Sequence, residues 1–230
     1  MADLYDMQAE IYADTRPKYP KEWFALLAAL TPHHIVAWDA GTGNGQAAFD
    51  QLADHYDRVV ATDVSEGQLK HAVPHTKIRY IHTPISMPED GLLALLGGED
   101  AVDLVTIATA VHCFDLEKFY PVVERALRKP GGVVAYRNLT FPFDSVGVGA
   151  EGEQAAFEMK TNASFEWILQ LLRTWSTVNI AKKQGINLLP AEVVEELEKA
   201  WGGRSLIREV TFSSFVIAGK PRTPATLREG

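Results

Sequence analysis

Residues 39–45 read Asp39-Ala40-Gly41-Thr42-Gly43-Asn44-Gly45, and this stretch decides the fold. The apolar run Ile35-Val36-Ala37-Trp38 precedes it, and Ala47, Ala48, Phe49 and Leu52 follow at helical spacing. An apolar run closed by an acid and a glycine cluster, with a helical pattern beyond, predicts a strand, a tight turn and a helix. Glycine lets the backbone turn sharply and lets a ligand approach where no Cβ stands in the way. In open α/β sheets ligands bind at this carboxyl edge.

The alternation continues along the chain. Val59-Val60-Ala61 predicts a strand, residues 66–72 a helix, 78–81 a strand, 92–96 a short helix and 104–107 a further strand. Asp115 is placed to cap a helix carrying Phe119, Val122, Val123 and Leu127 on one face, and Pro130-Gly131-Gly132 stops it before a strand over 133–136. Upstream, Trp23, Phe24, Leu27 and Leu30 form an amphipathic leading helix that Thr31-Pro32 ends. Strands and helices alternating through 35–137 predict a doubly wound, Rossmann-like α/β fold with helices on both faces of a parallel sheet. Past Arg137 the pattern loosens around Pro142 and glycines 147, 149 and 152, with one short strand near 143–148. Helices near 165–175 and 190–201, a strand over 207–218 and a frayed tail complete the chain.

Bulk properties narrow the function. A length of 230 residues suits one domain with local decoration, and 47% hydrophobic with 23% charged residues is ordinary for a soluble globular protein. The formal net charge of -8, with no cluster of Lys and Arg among aromatics, argues against nucleic acid as a partner. Cys113 is the sole cysteine, which excludes an internal disulfide and a cysteine zinc site; no metal is expected. The start carries acids and no apolar leader, and no run of about twenty apolar residues occurs. A cytoplasmic protein without a membrane segment is the expectation.

The second acid identifies the ligand class. Asp63 ends the second strand, eighteen residues beyond Gly45, where an acid accepts both hydroxyls of a ribose. Dinucleotide folds use G-x-G-x-x-G, with a pyrophosphate on the helix N-terminus. Here the glycines run G-x-G-x-G, and Asp39 stands two places before the first. An anion there repels pyrophosphate and suits an amino group or a sulfonium.

Four strings, taken in order, resemble the class I S-adenosylmethionine-dependent methyltransferases. DAGTGNG is similar to their glycine motif, VVATDVSEGQL to the strand-two motif, VDLVTIATAVHCFD to the strand-four motif and RALRKPGGVVA to the turn into strand five. The likeness runs to the type 11 branch and its plant trans-aconitate methyltransferase-like proteins, and covers most of residues 5–219. It implies a seven-stranded sheet of order 3-2-1-4-5-7-6 with the last strand antiparallel. It also implies one domain over 1–230: cap and leading helix at 1–34, cofactor-binding core at 35–137, C-terminal strands and substrate-side helices at 138–219, and a tail at 220–230.

Carried over by residue, the resemblance implies that Asp39, Gly41 and Gly43 cradle the methionine moiety of S-adenosyl-L-methionine and that Asp63 holds the ribose. Val64 and Gln68 would flank the adenine, Ile85 and Ser86 would meet its edge, and Ala108 would line the site after strand four. YADTRPKYP is similar to the family's N-terminal Tyr-x-x-x-Arg-Pro segment, in which Tyr12 and Arg16 would close over the cofactor; a guanidinium fork suits its carboxylate. His112, just past strand four, and Tyr5 are the candidates for moving a proton from the acceptor. The family's His-Trp-Phe stands here as His112-Cys113-Phe114, and the helical insertion usual after strand five is missing, because AYRNLTFPFDSV follows at once. A lid excludes water and positions an acceptor. Two readings therefore stand: methyl transfer to a small molecule, with S-adenosyl-L-homocysteine as product, in a monomer or homodimer; or a cofactor-binding protein that does not methylate. A nicotinamide-dependent oxidoreductase is disfavoured by the glycine spacing and by Asp39.

Overall fold

The computed structural model describes residues 19–136, 143–146 and 155–221. By contacts the chain divides into two compact units, one of Tyr19–Phe157 with Ser214–Gly230 and one of Met1–Lys18 with Glu158–Ser213.

The first unit is built on a sheet. Helix α1 (Lys21–Ala29) buries Trp23, Phe24 and Leu27 of the predicted face together with Ala28, whereas Leu30, also expected on that face, is half-buried just past the helix end. Strand β1 (Val36–Ala40) is buried along its whole length and pairs in parallel with β2 (Arg58–Asp63) on one side and β4 (Leu104–Thr106) on the other. Strand β3 (Ile78–His82) extends the sheet beyond β2, and β5 (Val133–Tyr136) extends it beyond β4. The second half of β8 (Ile207–Lys220) closes antiparallel on β5, and β6 (Asp144–Ser145) pairs antiparallel with β8. The crossovers are a π-helical turn (Ala48–Leu52) leading into α2 (Ala53–His55), then α3 (Glu66–Lys70), α4 (Glu89–Leu96) and α5 (Leu116–Ala126). They lie on both faces: α4 packs with α5, while the π-helical turn packs with α1. The core joins Trp38, Val105, Phe119, Val123, Leu127 and Val134.

The strand order is β3-β2-β1-β4-β5-β8-β6, with β7 (Ala155–Ser164) pairing with β8 off this path. The expected count of seven strands is corrected by this. Among the described residues, six strands of three or more residues make the main path, the seventh place is a two-residue edge, and β7 is an addition. β7 escapes notice because Phe157 and Met159 are its only large apolar side chains among small and polar ones, and because its partner strand lies more than forty residues downstream. From Glu158 to Ala163 its exposure alternates down to the buried Ala163, and Lys160 reaches Glu209 of β8 at 3.8 Å.

The second unit adds α6 (Phe165–Arg173), α7 (Ser176–Lys183) and α8 (Ala191–Trp201). Ser164 caps α6 by accepting the Trp167 N–H at 3.2 Å. Helix α7 is also unanticipated, since Thr177, Val178 and Ile180 are β-branched and weak helix formers. The buried Asn179 secures it by donating to the carbonyls of Arg173 (3.1 Å) and Trp175 (2.9 Å). Asp115 holds the position before α5 without capping it; its carboxylate pairs with Lys118 at 3.2 Å. Among the described residues no helix is long and apolar enough to cross a membrane.

One buried carboxylate pins the opposite edge of the sheet. Asp103 accepts the N–H groups of Ile35 and Val36 at 2.8 Å each and the Arg128 Nε at 2.6 Å. Asp103→Ala strands two amide donors beside an arginine that is 28% exposed and keeps access to water, a loss of about 1 to 3 kcal/mol. Urea denaturation should show that loss; a loss below about 1 kcal/mol would mean the staple contributes little.

Candidate functional site at the carboxyl edge of the sheet

Register brings the first acid to its partners. Asp39 lies opposite Ala61 of β2 and Thr106 of β4, one residue from the end of β1. It is 1% exposed, and its Oδ1 accepts from the Thr106 hydroxyl at 2.7 Å and its Oδ2 from the Thr42 hydroxyl at 2.6 Å. Burial pushes its carboxyl up to about 6, against the two hydroxyls that favour the anion, and the nearby Asp63 adds a smaller push in the same direction.

The glycine loop folds over the end of β2. The N–H groups of Gly41 (2.9 Å) and Thr42 (3.0 Å) both donate to the Thr62 carbonyl. Gly41 has a φ of 69°, and a Cβ there would come to 2.6 Å of the Ala110 Cβ and 3.3 Å of the Phe114 ring. Gly43, at φ 60°, differs. A Cβ there would meet only the Gln68 Oε1, at 3.7 Å, so this side of the loop is open to a ligand.

Asp63 ends β2, where its Oδ2 accepts the Gly43 N–H at 2.7 Å and its Oδ1 the Ser65 N–H at 2.8 Å. Ser65 caps α3 by accepting the Gln68 N–H at 3.1 Å, which buries Gln68 beside the loop. His82, opposite Asp63 in register, contacts the Val64 carbonyl through Nε2 at 3.1 Å and Glu66 through Nδ1 at 3.2 Å.

Asp39, Gly41, Gly43, Asp63, Val64 and Gln68 thus share one edge, with the half-buried Ala108 following β4. His112 is exposed on the 3₁₀ turn Val111–Cys113. Ile85, 90% exposed, and Ser86, also exposed, lie on the loop after β3. Tyr5, Tyr12 and Arg16 fall outside the described residues. Thr106, Ser65 and Tyr80 are site residues that sequence reading misses; Tyr80 presses its hydroxyl where a Gly45 Cβ would stand, at 2.6 Å. Only the order of strands reveals Thr106, since its contact with Asp39 spans 67 positions. Phe143 packs in the core, edge-on to Tyr120 at 5.8 Å, and so lies away from the glycine loop's open side.

The helical unit carries a groove of about 190 Å³ between α6 and α8, walled by Phe165, Ile168, Leu169, Leu197 and Trp201 among other apolar groups. Such a wall offers nothing to hold a nucleoside or move a proton.

Several known proteins resemble this chain in sequence and fold. Residues 38–136 match the family model described as a methyltransferase domain. A Dictyostelium discoideum protein provisionally named a methyltransferase is 30% identical over 135 residues, 58% of this chain and 48% of that protein. Methyltransferase ptaI of Pestalotiopsis fici is 30% identical over 137 residues, 54% of this chain and 40% of its own length. The chain therefore spans about half the length of the curated relatives it matches. A solved structure from Anaeromyxobacter dehalogenans, provisionally described as a type II methyltransferase, superposes with a TM-score of 0.70 at 28% identity. It covers 90% of this chain and 99% of that one.

The buried acid makes stability depend on pH. Folding raises the Asp39 pKa from 3.8 to about 6, so the folded state holds this proton more tightly than the unfolded state does. The contribution is full below about 4 and is lost as the pH rises through about 6, a difference of about 3 kcal/mol. Chemical denaturation from pH 4 to 7 should show this slope in the parent protein and its absence in Asp39→Asn. Parallel profiles for the two proteins would contradict the assignment.

Proposed function

We propose that this chain transfers a methyl group from S-adenosylmethionine to a small-molecule acceptor. The observation that carries the reading is the pairing of two acids on one glycine loop: Asp39 behind it, Asp63 on its Gly43 amide, with open space at Gly43. A pyrophosphate would face Asp39 unfavourably, whereas a cationic amino group or sulfonium would stabilise its anion and offset the burial that raises its pKa.

In this reading Gly41 and Gly43 let the methionine moiety approach the backbone, and Asp63 takes the ribose hydroxyls, which join or replace the Gly43 amide on its Oδ2. Val64 and Gln68 flank the adenine, Ile85 and Ser86 meet its edge, Ala108 lines the donor side, and Tyr12 and Arg16 close over the cofactor. The bound cofactor supplies a methyl on a sulfonium, which leaves readily, so the protein has chiefly to align the acceptor; alignment is worth effective molarities of about 10⁵ to 10⁸ M. A carboxylate acceptor needs no base. An amine or phenol would lose its proton to His112, which is exposed on the turn after β4, or to Tyr5. The acceptor is taken to be small and partly apolar, a carboxylic acid or specialised metabolite, in line with the likeness to the plant trans-aconitate methyltransferase-like branch. A cytoplasmic monomer or homodimer, with the whole chain acting as a single methyltransferase domain, belongs to the same proposal. The rival, a cofactor binder that does not methylate, is not favoured, since the similar proteins from Dictyostelium, Pestalotiopsis and Anaeromyxobacter carry methyltransferase names.

Isothermal titration with S-adenosylmethionine and S-adenosylhomocysteine tests the reading, with NAD as control. Both sulfur nucleosides should bind, NAD should not, and Asp63→Ala should weaken binding by about 10- to 100-fold, the loss of hydrogen bonds to a charged group. Failure of the parent protein to bind either nucleoside would sink the proposal.

A further inference from the structure

Beyond β4 the chain turns at Thr109 with a φ of 57°. Few residues other than glycine adopt this left-handed conformation, and a β-branched one is an outlier. The turn sets the path of the next four residues. It lays Ala110 on Gly41, so close that a Cβ on the glycine would stand 2.6 Å from the Ala110 Cβ, and it leads into the 3₁₀ turn that bears His112. Thr109 is exposed, so burial does not hold it there. A contact from ninety residues away reaches it instead: the Tyr19 hydroxyl lies 3.3 Å from the Thr109 hydroxyl.

Tyr19 is anchored from behind. Its carbonyl accepts from Gln51 Nε2 at 3.1 Å. Gln51 is buried in the π-helical turn that continues from the glycine loop, and such turns recur at functional sites. The Tyr19 ring also packs on Trp23 and Phe24 of α1, with centroids 6.4 and 6.2 Å away. One residue thereby touches the helix behind the glycine loop with its carbonyl and the loop beyond β4 with its hydroxyl.

We propose that Tyr19 is a positioning residue, a strut that holds the Ala108–His112 loop against the glycine loop before ligand arrives. A loop already fixed in its bound conformation spares the ordering cost of binding, so the strut raises affinity without touching the ligand. This role rests on the proposed cofactor site for its ligand, though not for its geometry. A hydroxyl pair at 3.3 Å is long, and contacts of this kind tighten when a site closes. The effect is therefore a few-fold.

The test uses Tyr19→Phe, Thr109→Val, their double variant and Thr109→Ser, with two readouts. The first is titration with S-adenosylhomocysteine. The second is the rate at which deuterium labels the backbone N–H groups of Cys113 and Phe114, which donate to the Ala110 and Val111 carbonyls on the turn that bears His112. Tyr19→Phe and Thr109→Val should each weaken binding about three- to fivefold, the double variant should be no worse than either alone, and Thr109→Ser should bind like the parent. Both amides should be labelled about as many times faster in the first two variants, with or without ligand, as the loop opens more often. Unchanged affinity and unchanged labelling in both single variants would overturn the strut and leave the cofactor site intact. If the parent protein binds no S-adenosylhomocysteine, the cofactor site fails and the labelling rates alone decide: acceleration supports the strut, equal rates refute it.

Discussion

The carboxylate of Asp39, buried near the end of the central strand, sets the terms for the groups around it. A charge in that position is costly to desolvate, and the structure supplies two hydroxyls, from Thr42 and Thr106, to offset part of the cost. Thr42 belongs to the glycine loop and Thr106 to β4, so one acid ties the loop to the neighbouring strand. The residual penalty appears as a carboxyl held near 6. The part left uncompensated is a cost to the anion, and the two hydroxyls keep that cost small enough for an acid there to be compatible with a stable fold.

Asp63 works differently. Its two oxygens face the amides of Gly43 and Ser65, so it acts as a clamp between the glycine loop and the start of α3. Ser65 passes the order on by capping the helix, and that buries Gln68 against the loop. A ribose arriving at Asp63 would meet a carboxylate already oriented by backbone donors, and preorganisation of this kind lowers the cost of recognition. At the other edge of the sheet, Asp103 does a purely structural job with the same chemistry, joining the entry to β1 to Arg128 after α5.

Much of the sheet unit was legible in the sequence. The apolar run before Asp39 lies in β1 from Val36 on and that before Asp63 lies in β2, the strand at 133–136 has the predicted bounds, and α1 buries three of the four predicted residues, Trp23, Phe24 and Leu27. Those elements announce themselves because a parallel strand covered on both faces must be apolar throughout, whereas a helix on the sheet must be apolar on one face. β7 and α7 were not legible. The first carries only two large apolar side chains, Phe157 and Met159, and owes its form to pairing with a distant strand, and the second is rich in β-branched residues and is held by the Asn179 side chain.

For the site, local sequence determined the glycine loop, the two acids and their spacing, because a turn that needs positive φ and an acid that ends a strand leave marks within a few residues. Tertiary structure alone decided which groups meet there. Thr106 reaches Asp39, Tyr80 packs on Gly45, Ala110 lies on Gly41 and Tyr19 meets Thr109, each across tens of residues. These contacts follow from the order of strands in the sheet, and strand order is set by the burial of whole faces rather than by any short stretch of chain.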